Sequence, residues 1–400
     1  MALFGARTIA VVVAIAALPV VFDAQQSSAP ATAPTHAARD GDPVDLGTGL
    51  YIRRSIDIIL TGPAPLVFSR VYRNRDSRSR PFGIGTNHSF GSFLVGDAAL
   101  SYIDLILPDG ARVHYRRTAG RIGHVGGVFE HTTSPGEYRG SRLLWNGSGW
   151  TIKLLDGSVS MYPDCFPSLN KPCTMSVYRD AKGHAVRVRH DRRMNAVRLQ
   201  ADEGPTIELT YDDLDRIVLA RSSTGQEVRY RYDSLGRLTH VSDSAGSTST
   251  YGYDPAHQMV QVKEPGISIH NAFDSGGRCI VNDVKIEVAG QKSGRTRRSL
   301  FKFEYTVNPA GKIMATVVQR ASSRRRVTFN EAGYALSDTV TGGKTRGFGT
   351  AVTREAGSNA VQRVTLWCGA DKVETAVDPD ASMNAIRQIV ERACRRLGKN

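Results

Sequence analysis

Arginine is the residue most conspicuously gathered for chemistry in this chain. Arg70, Arg73, Arg75, Arg78 and Arg80 fall within one short stretch, and Arg324, Arg325 and Arg326 are contiguous. Arg295, Arg297 and Arg298 form a third group. Guanidinium forks bind carboxylate, sulfate and phosphate bidentately, so these are candidate anion-binding positions. The competing reading is a solvated set of strand ends and loops that resists aggregation. Cysteine is the second chemical residue. Cys165 and Cys173 flank a turn containing Pro167 and Pro172, and a bridge between Cys368 and Cys394 would tie down a C-terminal helix. Both pairs are candidate disulfides if the chain meets an oxidising compartment. Cys279 is left over. No Cys-x-x-Cys or Cys/His ligand spacing occurs, so no metal set is expected.

Other constellations fail on spacing. The Gly-Gly-Lys-Thr string beginning at Gly342 lacks the glycine that a phosphate-binding loop needs five before Gly343; Asp338 stands there. His184 and His190 lie six apart in strand-like sequence, a spacing without metal-ligand logic, and His88 reads as a structural residue. No Gly-x-Ser-x-Gly nucleophile elbow appears. The acidic residues sit mainly in turns, where their backbone hydrogen bonding explains them. No catalytic, cofactor-binding or metal residue is expected, and the chain reads as non-enzymatic.

The elements that position these residues come from an internal repeat. Tyr211-Asp-Asp-Leu-Asp-Arg-Ile, Tyr232-Asp-Ser-Leu-Gly-Arg-Leu, Tyr253-Asp-Pro-Ala-His-Gln-Met and Phe273-Asp-Ser-Gly-Gly-Arg-Cys begin 21, 21 and 20 residues apart. Looser copies start at Tyr178, His190, Tyr305 and Phe329. Apolar residues alternate before each aromatic, as in Val228, Tyr230 and Tyr232, which places them on one face of a strand. The Asp that follows can bond backbone N–H groups two residues on, and Gly236 or Gly277 supplies a positive-φ position. Each unit therefore reads as a β-hairpin. The residue six after the aromatic is Ile217, Leu238, Met259 or Cys279, which makes Cys279 a buried small hydrophobe. Hairpins cannot bury a face alone, so stacked units must share one sheet. The tyrosine stripe is packing first and a carbohydrate-stacking surface second.

Tyr232-Asp-Ser-Leu-Gly-Arg-Leu resembles the repeat of the RHS/YD-repeat proteins nearly residue for residue. The run from Gly41 to Phe93, with its Asp-Pro-Val start and its Asn-His-Ser string at Asn87, is similar to the domain of unknown function that precedes the repeats in bacterial members. Leu107-Pro-Asp-Gly and Trp150-Thr-Ile-Lys-Leu-Leu-Asp-Gly-Ser-Val belong to the same region. The resemblance covers roughly residues 41–340 and implies a spiral of β-hairpins, which in longer members closes into a cocoon around a C-terminal toxin. About eight repeat units look too few to enclose a domain. The glycine-rich Asp-Pro segment at which the longer proteins cleave off their toxin is also missing: Val377-Asp-Pro-Asp-Ala-Ser-Met has no glycines. An open, curved antiparallel sheet, a partial cocoon, is the expectation.

The 400 residues are 40% hydrophobic and 22% charged, which suits folded domains and excludes wholesale disorder. An apolar run from Thr8 to Phe22 follows Arg7, the length of a signal-peptide core and short for a membrane span. The organisation expected is a signal peptide or anchor over 1–24, an Ala/Pro/Ser/Thr-rich linker over 25–40, an N-terminal β domain over 41–165, repeats over 166–340, and a tail over 341–400. A short α-helix over about 380–397 would cap the sheet. The balance of 52 Lys+Arg against 38 Asp+Glu gives +14 and favours anionic partners. Anionic polysaccharide or a cell-surface protein are the partners expected. Nucleic acid is disfavoured because no recognised module is visible, and membrane contact is expected only through an uncleaved N-terminal segment. The function expected is an exported, periplasmic, envelope or secreted binding scaffold that needs no cofactor. The rival is a toxin-delivery protein whose tail is a small effector or partner-binding element.

Overall fold

The computed structural model describes residues 39–375, apart from 42, 63, 134–136, 166–172, 203, 288–295, 344–346, 358 and 370. The segment 1–24, most of the linker, the helix expected over about 380–397 and Cys394 lie outside the described residues.

The described chain is mainly β, in antiparallel sheet. Alternation of side chains decides this locally. Strands Thr206–Tyr211 and Glu227–Tyr232 each bury every second residue, Ile207 and Leu209 in one, Val228 and Tyr230 in the next. Consecutive strands then pair in register, Leu219 opposite Arg229 and Tyr230 opposite Val241. This ribbon runs from Phe93–Gly96 to Asp371–Thr375, so no break separates 93–165 from the repeats. It also continues past 340, where strands Phe348–Arg354, Val361–Cys368 and Asp371–Thr375 extend the sheet.

The ribbon curls. Strand Cys173–Thr174 returns to pair with Phe93–Gly96, placing Cys173 opposite Leu94 and closing the early strands into a barrel-like turn. Val177–Arg179 then pairs with Val159–Pro163 and carries the sheet onward. The ribbon as a whole is not closed end to end: among the described residues, Asp371–Thr375 pairs with Val361–Cys368 alone.

Residues 39–92 do not join this ribbon. They form a three-stranded sheet, Ile52–Leu60, Leu66–Arg73 and Thr86–His88, flanked by two short strand pairs. Strand Leu66–Arg73 is buried on both faces: Leu66, Val67, Phe68, Val71 and Tyr72 supply apolar surface, and Ser69 and Arg70 are buried among them. One face meets the apolar side of the repeats: Phe82 packs 4.7 Å from the ring of Tyr230, and Tyr72 lies edge-on to Tyr253 at 6.0 Å. The approach is close enough to require glycine at Gly83, which has φ 80° and where a Cβ would collide with the carbonyl oxygen of Gly236. The resulting core joins Phe68, Phe82 and Tyr51 to Ile217, Leu238 and Val262, each buried to 3% or less of exposure. Burial of each aliphatic side chain contributes about 1.5–3 kcal/mol.

Candidate binding surface

The hairpin turns hold the repeats to one another by a recurring set of contacts. Asp233 Oδ1 accepts hydrogen bonds from the backbone N–H groups of Leu235 and Arg237, at 3.1 and 2.9 Å. Asp212 and Asp274 do the same two and four residues on. The position three after each Asp has positive φ, supplied by Gly236 and Gly277 but also by Asp215 at 57° and His257 at 61°. A one-residue register shift accompanies each turn, as between Arg231 and Tyr232, which is the three-residue hairpin closed by a bulge. Each Asp also pairs with the arginine four residues on: Arg216, Arg237 and Arg278 lie 2.7 Å from Asp212, Asp233 and Asp274. Partial burial would raise these carboxyl pKa values. The backbone N–H groups and the arginine outweigh it and hold all three below the usual carboxylate range.

The same arginines reach the next repeat. Arg216 stacks over the ring of Tyr232 at 4.5 Å, Arg237 over Tyr253 at 5.3 Å, and Arg278 over Tyr305 at 5.6 Å. Each tyrosine in turn donates its hydroxyl backward, Tyr253 to the carbonyl of Leu238 at 2.8 Å and Tyr211 to that of Ala196 at 2.9 Å. The acceptors Ile217, Leu238 and Cys279, bonded by Tyr232, Tyr253 and Tyr305, are the apolar sixth positions of their repeats. The tyrosine stripe is therefore committed to inter-repeat packing. Cys279 is a buried free thiol whose pKa burial pushes up to about 12.

The candidate anion-binding arginines divide. Arg70 is buried, its Nε 2.7 Å from Asp57, which also accepts the Tyr230 hydroxyl at 2.7 Å. Burial alone would lower the Arg70 pKa, and Asp57 more than restores it. Arg325 donates two hydrogen bonds to Asp338 and one to Asp40, with 5% of its side chain exposed. These two are corrected from surface ligands to internal counter-charges. Arg80 is also committed, paired with Asp76 at 3.0 Å and stacked over Phe93 at 5.8 Å. Arg73 is half-buried and donates to the Asp109 carbonyl at 3.4 Å. Arg75 and Arg78 are exposed beside it.

Arg324 and Arg326 remain exposed on the outer face of strand Ser323–Phe329 and form no ion pair among the described residues. The register places Lys302 opposite Gln319 and Gln319 opposite Arg324. Adjacent strands are about 4.8 Å apart, so these cations share one patch. A groove of about 570 Å³ next to it is lined by Arg297, Arg298, Lys302 and Arg320. Arg298 is neutralised by Asp283 at 2.8 Å; Arg320 stacks over Phe301 at 5.0 Å. The outer face of the earlier repeats differs. There cross-strand pairs alternate in sign, Arg198 with Glu208 and Arg221 with Glu227. The surplus of positive charge is large on strands Thr296–Val307, Ile313–Arg320 and Ser323–Phe329, whose one acidic residue is Glu304. Lys302 and Arg320 escaped the sequence reading because they are isolated along the chain and meet only across strands.

Cys165 and Cys173 are joined in a disulfide with Cα atoms 5.6 Å apart, and Cys368 is disulfide-bonded. Gly342, which opens the glycine-lysine string, ends strand Ala335–Gly342, and the next strand is Phe348–Arg354. His184 pairs with Asp180 at 3.0 Å. Among the described residues no cluster of three His, Cys, Asp or Glu side chains is placed to hold a metal, and no helix is long and apolar enough to cross a membrane.

Residues 41–115 match the family model described as a domain of unknown function, DUF6531, and residues 211–248 and 232–266 match the RHS repeat. The chain thus carries RHS/YD repeats together with a DUF6531 domain. No curated protein matches it. Among solved structures it is similar to TcdB2-TccC3 without its hypervariable C-terminal region, at 10% identity and a TM-score of 0.33, over 85% of this chain and 22% of that one. It is also similar to TcdB2-TccC3, at 13% identity and a TM-score of 0.29, over 80% and 24%. A porin-like protein from Bacteroides uniformis follows at 11% and 0.22, over 59% and 95%. The chain spans under a quarter of the length of the TcdB2-TccC3 structures, and these superpositions do not bear on its activity.

Proposed function

We propose that this chain is an exported, non-enzymatic RHS/YD-repeat scaffold that binds anionic polymers of the envelope or the cell surface through the basic patch around Lys302, Arg324 and Arg326. The observation that carries the reading is the filling of the apolar face. Residues 39–92 already cover it across the repeats, so the surface left for a partner is the outer one. There the unpaired cations are concentrated. Polyanion attraction of this kind is steered by net charge and weakened by salt.

The test is surface-plasmon binding of the intact chain to dextran sulfate and polygalacturonate, with neutral dextran as reference. Binding should weaken at least tenfold on going from 50 to 300 mM salt and in the combined variant Lys302→Ser, Arg324→Ser, Arg326→Ser. Equal binding to neutral dextran, or an unaffected variant, would remove the proposal. Export is tested separately by intact mass in each cell fraction. A cytosolic, fully reduced chain would overturn that part.

The alternative, toxin delivery by the tail, is separated by expressing the chain in the bacterial cytoplasm, where growth arrest would favour it. Strands Phe348–Arg354 and Val361–Cys368 belong to the sheet, which supports reading that part of the tail as scaffold.

A further inference from the structure

A cavity of about 420 Å³ opens where residues 79–93 dock on the first repeat turns. Its chemistry is balanced rather than basic. Arg80 is neutralised by Asp76, and Arg193 by Asp215 at 2.8 Å, with Asn195 donating to the same carboxylate at 2.8 Å. His88 is buried, and its Nδ1 accepts the N–H of Phe90 at 3.2 Å, which leaves the ring proton on Nε2. No protein group among the described residues takes that proton. Burial pushes the His88 pKa down to about 3, with His190 adding to the shift, so the ring is neutral. The remaining lining includes Phe93, Met194 and Leu214.

We propose that this cavity is a binding site for a single neutral sugar unit. The charges cancel within the site, so a bare anion or cation gains nothing over water. A wholly apolar ligand would leave the His88 Nε2–H unsatisfied, a costly burial. A sugar hydroxyl accepts from it. Asp215, held in place by Arg193 and Asn195, offers the fixed acceptor that pyranose hydroxyls use. The apolar walls receive the ring's C–H face. The volume falls in the range of pockets that enclose small ligands.

The test uses the full chain with N-acetylglucosamine, galactose and maltose as probes and glycerol as control, read by saturation-transfer NMR and calorimetry. At least one sugar should bind while glycerol does not. Leu214 stands 68% exposed at the mouth, so Leu214→Trp blocks entry without touching the core. Asp215→Asn keeps the positive-φ turn, which Asn tolerates, and removes the acceptor charge. Both should weaken the bound sugar at least tenfold while the unfolding midpoint of the free protein stays within a degree or two. Failure of all three sugars at 20 mM, or binding that is unchanged in both variants, overturns the proposal. Loss of polyanion binding in these variants would overturn the separation of the two sites.

Discussion

Arg237 lies 5.3 Å over the ring of Tyr253, in the repeat that follows its own, while the hydroxyl of Tyr253 points back to the carbonyl of Leu238. One arginine thus joins its own turn, through Asp233, to the core side chain of the next unit. The Tyr-Asp and Gly-Arg parts of the motif are one device. The aspartate shapes the turn, the arginine neutralises it, and the neighbouring tyrosine covers the arginine.

Tyr253→Phe should destabilise by about 1 kcal/mol, the usual worth of one hydrogen bond. Arg237→Ala should cost about 1–2 kcal/mol through lost stacking and the lost bond to the Asp254 carbonyl at 3.0 Å. Because the two side chains touch, the double variant should lose less than the sum. Urea unfolding of the four proteins measures that coupling. Strict additivity would mean that the arginine and tyrosine act independently.

Asp57→Ala should be far more damaging, by about 3–5 kcal/mol, because it strands the buried Arg70 charge. Replacing both, Asp57→Leu with Arg70→Met, should recover most of the loss. Thermal unfolding followed by circular dichroism decides. A double variant as unstable as the single would show that Asp57 matters for shape rather than for charge.

Stability should fall on acidification in two stages. The folded His88 pKa lies near 3 against an ordinary value of about 6.5, so the unfolded chain takes up the proton first. That contribution is complete above about pH 6.5 and is lost progressively as the pH drops towards 3. Burial also lowers His131 and His190, which add to the same stage. The turn aspartates Asp212, Asp233 and Asp274 have depressed pKa values, so theirs is lost only below about pH 4. Denaturation midpoints between pH 7.5 and 3 should therefore slope twice. His88→Gln should flatten the upper stage and leave the lower one. A midpoint that stays level between pH 6.5 and 4.5 in the parent chain contradicts the assignment.

Much of this architecture was legible locally. Asp after the aromatic, a positive-φ position three further on and an apolar residue at the sixth position together specify a hairpin with one face inward. The structure gives that hairpin at Tyr211, Tyr232, Tyr253 and Phe273. Burial of Arg325 was also written in the sequence, since it is in phase with Val327 and Phe329 on the inward face. Its position within three consecutive arginines concealed that phase. The contact between Asp57 and Tyr230 had no local trace, because the residues are 173 apart and no periodicity links the two sheets. The basic patch was only half visible for the same reason: Lys302 and Arg324 become neighbours through strand register.

The docking of residues 39–92 has a further consequence. Along that segment Pro81 bonds to Ile217, Ile84 to Gly236, Tyr72 to His257, Asn74 to Gly277 and Gly49 to Cys279. Successive hairpins are thus met by fixed points on one covalent template. A repeat lineage can ordinarily grow or shrink by whole units, since each touches only its neighbours. Here the template works as a gauge. A unit duplicated or deleted between Tyr211 and Cys279 would throw every later contact out of step by one hairpin. The number of repeats in this stretch is therefore set by the length of the segment that lies across them.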